Sequence, residues 1–268
     1  MNKVAPLACL CLRATFFLLT AVVLGWASAA LGGNWSTTEV QLLHGDRFRE
    51  FSNPEAVAKG TLTLTNASGF DWGGSYFFVD YLKSDGHDDH DEEFYGEVYL
   101  YPSLSHLTGR SLKAGILKDV SLTLGVNYGE KTNGANPRAL LPGLTFHLNL
   151  PGFAFFDLGV NAYLDHSLFN GQASTCNGET WQITPVWKLP FRLGGLGFSF
   201  EGYADFTGAH GTCVRQVLSQ PQLRLDVGKA FGRPGQVHLG IEYQYWHNKF
   251  GIRGLNDRVP QALLVWGF

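Results

Sequence analysis

Asp257-Arg258-Val259-Pro260-Gln261-Ala262-Leu263-Leu264-Val265-Trp266-Gly267-Phe268 closes the sequence. Side chains on a strand alternate between faces, so Ala262, Leu264, Trp266 and Phe268 share one. The stretch ends on an aromatic residue with no polar tail. In a soluble domain such an apolar end frays. In a bacterial outer-membrane barrel it has a place: the last strand pairs with the first, no edge stays open, and the strand end sits in the aromatic girdle. A soluble edge strand that ends in Phe is the competing reading, and the rest of the chain bears on the choice.

The 268 residues are 45% hydrophobic but only 16% charged, with 33 Gly and 14% aromatics. Soluble domains carry about 25% charged residues, so the composition is poor in charge for a soluble enzyme. A helical membrane protein needs repeated apolar runs of about 18 residues or more, and there is no second one. A closed all-β unit of this length is commonly one domain. Residues 1–29 read as a secretory signal: Lys3 and Arg13 make a basic start, 14–24 is a largely apolar run, and Ala27-Ser28-Ala29 offers small residues for cleavage after Ala29. Losing Lys3 and Arg13 leaves 18 basic against 23 acidic residues, net −5, in a mature domain of 30–268. Cys9 and Cys11 leave with the signal. The remaining pair, Cys176 and Cys213, in an oxidising compartment predicts a disulfide.

Period-two alternation over segments of about ten residues runs through the mature chain, the signature of a transmembrane antiparallel up-and-down β-barrel. Val120, Leu122, Leu124, Val126 and Tyr128 oppose Asp119, Ser121, Thr123 and Asn127. Phe198, Phe200, Ala204 and Phe206 oppose Ser199, Glu201, Tyr203, Asp205 and Thr207. Residues 156–165 and 237–248 alternate in the same way. The polar faces carry carboxylates, amides and tyrosines with almost no lysine, which suits a lumen better than a water-facing sandwich. The spacing predicts twelve strands: 35–43, 60–65, 71–82, 93–102, 117–128, 138–150, 153–165, 179–189, 197–207, 218–228, 236–248 and 257–268. With both ends periplasmic, the outward loops are 44–59, 83–92, 129–137, 166–178, 208–217 and 249–256. The turns at 66–70, 103–112, 151–152, 190–196 and 229–235 all contain Gly or Pro. This parity puts Cys176 and Cys213 in outward loops of neighbouring hairpins.

The lumen-facing acids are Glu39, Glu97, Asp119, Asp157, Asp165, Glu201, Asp205, Asp226 and Glu242, with Lys188 and Arg224 as the clear counter-charges. Tyr95, Tyr99, Tyr101, Tyr163, Tyr203 and Trp246 share those faces. Aromatic rings stack planar bases, at roughly 1–3 kcal/mol each. Carboxylates accept hydrogen bonds from hydroxyl and amino groups and oppose phosphates. The predicted solute-binding set is therefore Tyr95, Glu97, Tyr99, Asp157 and Tyr163 with Glu201, Tyr203, Asp205, Glu242 and Trp246, for a neutral or cationic planar polar solute. The alternative is that these groups brace a narrow barrel. The 70–80 stretch has aromatics on both faces and reads as a constriction or as girdle. The acidic run 85–93, with His87 and His90, lacks the calcium-loop pattern and reads as a solvated surface loop. No GxSxG, HExxH or phosphate loop is present, so no catalytic residue, metal or cofactor is expected.

Seven blocks, FDWGGSYFFVD (70–80), EVYLYPSLSHLTG (97–109), LPGLTFHLNLPGF (141–153), QITPVWKLPF (182–191), FEGYADF (200–206), IEYQYWHNKFGI (241–252) and QALLVWGF (261–268), resemble the nucleoside-specific channel-forming family, Tsx and Tsx-like outer-membrane porins. The resemblance spans nearly all of 35–268 and is closer to the short-loop branch than to the enteric branch, whose glycine-aromatic block reads differently. It implies a twelve-stranded barrel that passes nucleosides by facilitated diffusion. It also implies a setting of outer-membrane lipid and lipopolysaccharide, with the assembly machinery reading Phe268. No binding residue is carried over from the family, and no nucleic-acid partner is expected. Two rivals stay open: a barrel hydrolase, for which His166 beside Asp165 is the candidate, and a non-conducting surface-binding barrel.

Overall fold

A computed structural model of the chain describes residues 34–51, 53, 55–86, 88, 92–131 and 134–268. The signal segment, and His87 and His90, lie outside the described residues. Twelve long antiparallel strands close into one barrel. They are β1 Trp35–Arg49, β2 Ala56–Phe70, β3 Gly73–Ser84, β4 Glu92–Pro102, β5 Leu117–Lys131 and β6 Arg138–Leu148. There follow β7 Phe155–Asp165, β8 Gly178–Leu193, β9 Leu196–Thr207, β10 (Gln216–Ser219 and Gln222–Asp226), β11 Val237–His247 and β12 Asp257–Gly267. Each strand pairs with its sequence neighbours, and β12 pairs with β1 from Glu39↔Gly267 to His44↔Ala262. The Phe268 amide adds a bond to the Thr38 carbonyl at 3.0 Å. Every edge is thereby satisfied, which a strand crossing hydrocarbon requires.

The outer face confirms the alternation. On β12, Ala262, Leu264 and Trp266 are exposed while Gln261, Leu263 and Val265 are buried inward. Leu42, Leu62, Leu100, Leu124, Leu223 and Ile241 extend the same apolar belt around the barrel. An exposed apolar surface of that extent is stable against lipid and not against water. Inside, Leu43, Leu263 and Val265 pack together behind the β1–β12 seam, and Phe48, Val57 and Val259 pack together nearer the outer mouth.

Several strand boundaries differ from the periodicity: β8 runs on to Leu193, so the turn expected at 190–196 shrinks to 194–195, and three further differences have a visible cause. Most of 44–59 is ladder, since β1 runs to Arg49 and β2 begins at Ala56. A register shift between Gly45 and Phe48 inserts a bulge there, and a bulge erases period two. Residues 66–70 are strand, with the turn at 71–72. Asn66 and Ser68 look like turn residues, but the Asn66 amide donates to Ser36 and Thr38, both at 2.9 Å, across β1. The tenth strand breaks at Gln220-Pro221, because proline has no N–H for the ladder. Gly202 faces the break at φ 149°, and a Cβ there would lie 2.5 Å from the Gln220 carbonyl.

Candidate functional site

The inward faces line a cavity of about 1620 Å³ that runs from Asp71 and Phe153 at the inner end to Lys249 and Arg253 at the outer end. All ten residues predicted from face assignment line it. So do Tyr76, Phe78 and Asp80, which places the 70–80 stretch on the bore while Phe77 packs outward with Val79 and Phe94. Asp226 does not line it. Its carboxylate instead caps the β10–β11 turn, accepting from the Lys229 and Gly235 amides at 3.3 and 2.9 Å.

Midway along the bore four carboxylates are held by neutral donors. Glu97 accepts from Tyr95 at 2.5 Å, Tyr99 at 2.8 Å and Asn127 at 3.0 Å. Asp205 accepts from Thr184 at 2.5 Å and Gln182 at 3.1 Å. Glu242 accepts from Gln222 at 2.6 Å and Gln261 at 2.8 Å, and Asp80 from Thr63 at 2.5 Å. Among the described residues none of the four forms an ion pair. The tyrosines form a lining beside them: Tyr99 and Tyr101 stack at 5.9 Å with an interplanar angle of 5°. The Tyr99 ring fits because Gly125 faces it; a Cβ there would lie 2.4 Å from the ring. Tyr203 donates to Gln220 on the opposite side of the bore from β4.

The inner end is differently wired. Glu201 is paired with Lys188 at 3.1 Å and Arg224 at 3.4 Å, and Arg224 with Glu39 at 2.9 Å. Asp157 bonds His147 at 2.8 Å, and His147 bonds Ser121 at 2.9 Å through its other ring nitrogen. Near the outer end Trp246 donates to Gln216 at 2.9 Å and stands edge-on to Phe250.

The outer mouth holds groups from the segments expected as outward loops. Glu50 is buried, and Lys59 (2.8 Å), Lys131 (3.1 Å) and Lys249 (3.2 Å) all converge on it. Burial pushes its carboxyl pKa up, but Lys249, Lys59 and Lys131 outweigh that and hold it well below the usual carboxylate range. Lys59 also pairs with Glu93 at 3.0 Å, Lys131 with Asp88 at 2.8 Å, and Lys249 with Asp257 at 3.0 Å. Asp88 and Glu93 thus tie the acidic run into this cluster. Among the described residues no group of three or more His, Cys, Asp or Glu could hold a metal.

Beside it, Asp165 bonds His210 at 2.8 Å rather than its chain neighbour His166. That bond raises the His210 pKa despite burial. The His166 amide donates to the Arg138 carbonyl at 2.8 Å, and among the described residues no hydrogen bond to the His166 ring is found. Cys176 and Cys213 are joined, Cα–Cα 5.0 Å, stapling the loops after β7 and β9.

No protein-family model matches the chain, and neither does any curated protein sequence. Solved structures overlap it loosely. A KdgM porin in complex with disordered oligogalacturonate gives TM-score 0.47 at 7% identity, covering 87% of this chain and 99% of that one. A NanC porin gives 0.46 at 11% identity, covering 85% and 97%. The β domain of the Bordetella autotransporter BrkA gives 0.36 at 11% identity, covering 87% and 98%. The molecule is a closed twelve-stranded β-barrel of the outer membrane. The belt, the closed ladder and the polar bore carry that statement; the loose overlaps add nothing about solute or mechanism.

Proposed function

We propose that the barrel is a channel for passive, selective diffusion of nucleosides or similar small planar polar solutes. The observation that carries this is the middle of the bore, where tyrosines from β4, β7 and β9 stand beside carboxylates that form no ion pair among the described residues. Glu97 and Glu242 accept from sugar hydroxyls and exocyclic amines, and Tyr95, Tyr99, Tyr163 and Tyr203 offer faces for a base. Asp205 offers a further acceptor from the far wall. Glu201 and Asp157, already tied to Lys188, Arg224 and His147, orient the inner exit, and Trp246 flanks the outer approach. Each contact is weak and shared, so a solute enters and leaves without being trapped. Negative potential in a narrow bore opposes nucleotides. The resemblance of the seven sequence blocks to Tsx-like channels supports the same solute class. In this reading lipopolysaccharide and outer-membrane lipid surround the belt, and Phe268 is read during assembly.

Swelling of liposomes loaded with the purified barrel tests the proposal. Adenosine and thymidine are expected to permeate faster than sugars of similar size, and nucleotides slower. Nucleosides that move no faster than those sugars would remove the nucleoside claim. Zero single-channel conductance in a planar bilayer would put a non-conducting binding barrel in its place.

A further inference from the structure

Two loops meet over the outer mouth from opposite sides of the ring. Phe51 follows β1, Phe169 follows β7, and six strands separate them in either direction. Their rings nevertheless stand edge to face, with centroids 5.4 Å apart. In a closed cylinder that contact can only be made across the opening. Both rings line the cavity and both are partly exposed, at 49% and 37%.

Each ring is carried by a braced support. Phe169 lies on a small sheet of its own, made by Ala135–Asn136, Leu168–Phe169 and Gln172–Ala173. Asn170 (φ 51°) and Gly171 (φ 77°) turn its hairpin, the conformation that an Asn-Gly pair favours in a two-residue β-turn. Phe51 is next to Glu50, whose three ammonium partners come from β2, from the end of β5 and from the segment between β11 and β12. Lys249 also donates to the Arg49 carbonyl at 2.9 Å, and the Arg49 amide donates to Asp257 at 2.7 Å. The chain at 49–51 is therefore pinned inward by bonds reaching to three other parts of the rim.

We propose that Phe51 and Phe169 form the size-selecting constriction of the outer mouth, and that Glu50 is the residue that positions it. The inference rests on the reading of the bore as a diffusion path. It deepens that reading by naming the solutes that pass: flat molecules, which slip past an edge-to-face ring pair, ahead of branched ones of equal mass. Glu50 itself touches no solute, since its oxygens are occupied by lysines.

The test uses the full barrel in planar bilayers with Phe51→Ala, Phe169→Ala and Glu50→Gln. Single-channel conductance is read while neutral polyethylene glycols of graded size are added to one side at a time. Expected is a several-fold rise in conductance for each phenylalanine variant, together with entry of larger polymers from the outer side and an unchanged cut-off from the inner side. Glu50→Gln is expected to show the same one-sided widening. Phe169→Ala, at an exposed rim position, keeps the test available if Glu50→Gln does not fold. Unchanged conductance and outer cut-off in both phenylalanine variants would overturn the proposal. The polymers carry no base, so a wild-type barrel without nucleoside preference sinks the solute reading alone, whereas an immovable cut-off sinks the constriction alone.

Discussion

Glu50 and Glu97 are both glutamates held inside the same barrel, and they do opposite things. At the mouth, Glu50 is met by three ammonium groups, so its charge is spent on tying segments of chain together. At the middle of the bore, Glu97 is met by two phenols and an amide, all neutral, and among the described residues it forms no ion pair. The first arrangement fixes shape. The second leaves a carboxylate held by neutral donors and open to the bore. Residue type does not separate the two roles; the charge of the donors does.

The widest separation between the two sites is expected in stability. Glu50→Ala leaves three buried lysines without their shared partner, and breaking a buried pair from one side costs roughly 3–5 kcal/mol. Unfolding of the barrel in detergent and denaturant measures it. Glu97→Gln keeps an acceptor for Tyr95 or Tyr99, so its loss should stay near the roughly 0.5–1.5 kcal/mol of an ordinary hydrogen bond. Equal losses would erase the distinction. The acid side sharpens it. Glu50 has a lowered folded pKa, so its stabilisation is complete well above the ordinary value of 4.5 and is lost as pH falls below that value toward the folded pKa. Wild-type stability should therefore drop with acid below that value, and Glu50→Gln should remove that part of the slope.

The staple next to the mouth comes second. Reducing Cys176–Cys213 frees a loop with a sequence separation of 37, for which chain entropy gives a loss of about 2–4 kcal/mol. Heat-modifiable gel mobility with and without reductant reads it, and the conductance of the middle of the bore should be unaffected. His210, in the same corner, carries the opposite pH sign to Glu50. Its folded pKa is raised, so its contribution is present below 6.5 and fades as pH climbs through the folded value. His210→Gln should flatten the melting temperature across that alkaline limb.

Solute movement gives a smaller effect, and it belongs to the middle of the bore alone. Glu97→Gln with Asp205→Asn removes two carboxyl groups on facing walls that form no ion pair among the described residues. Cation-over-anion selectivity, read as a reversal potential across a salt gradient, should fall, and adenosine permeation should slow several-fold while the outer polymer cut-off stays put. A wider cut-off would mean that the two regions are one.

Much of the bore was legible in the sequence because period two is a physical consequence of the pleat. Tyr95, Glu97, Tyr99, Glu201, Tyr203 and Asp205 were assigned inward on parity alone, and they line the cavity. The mouth was not legible. Lys59, Lys131 and Lys249 sit at strand ends or between strands, where a lysine ordinarily points to water, and what gathers them is a loop that folds inward with no periodic signal. The bulge between Gly45 and Phe48 hid the end of β1 and with it the place of Glu50. One local signal does mark the mouth: Phe169-Asn170-Gly171-Gln172 is a hairpin turn pattern that presents an aromatic ring. Asp226 was misassigned for a related reason, since parity holds along a strand but says nothing about the depth at which the strand ends.

The smallest expected effect concerns the inner end, where Ser121, His147 and Asp157 are hydrogen-bonded in the order that a hydrolase uses. Geometry of that kind becomes catalysis only with a reachable nucleophile and with N–H groups aimed at the developing oxyanion. Ser121 is 2% exposed. Its backbone is paired with Thr145 on one side and bridged to Ser103 on the other, so the ladder claims the donors next to it. The three side chains bridge β5, β6 and β7 and stiffen the wall where Asp119 is already held by Ser103 and Ser105, both at 2.6 Å. Ser121→Ala should therefore cost about 1 kcal/mol of stability, the value of one buried bond, and leave permeation as it was. A fluorophosphonate probe should fail to label the folded barrel. Stoichiometric labelling at Ser121 would show that the wall opens there, and the inner end would then join the middle of the bore as a second place where chemistry can reach a solute.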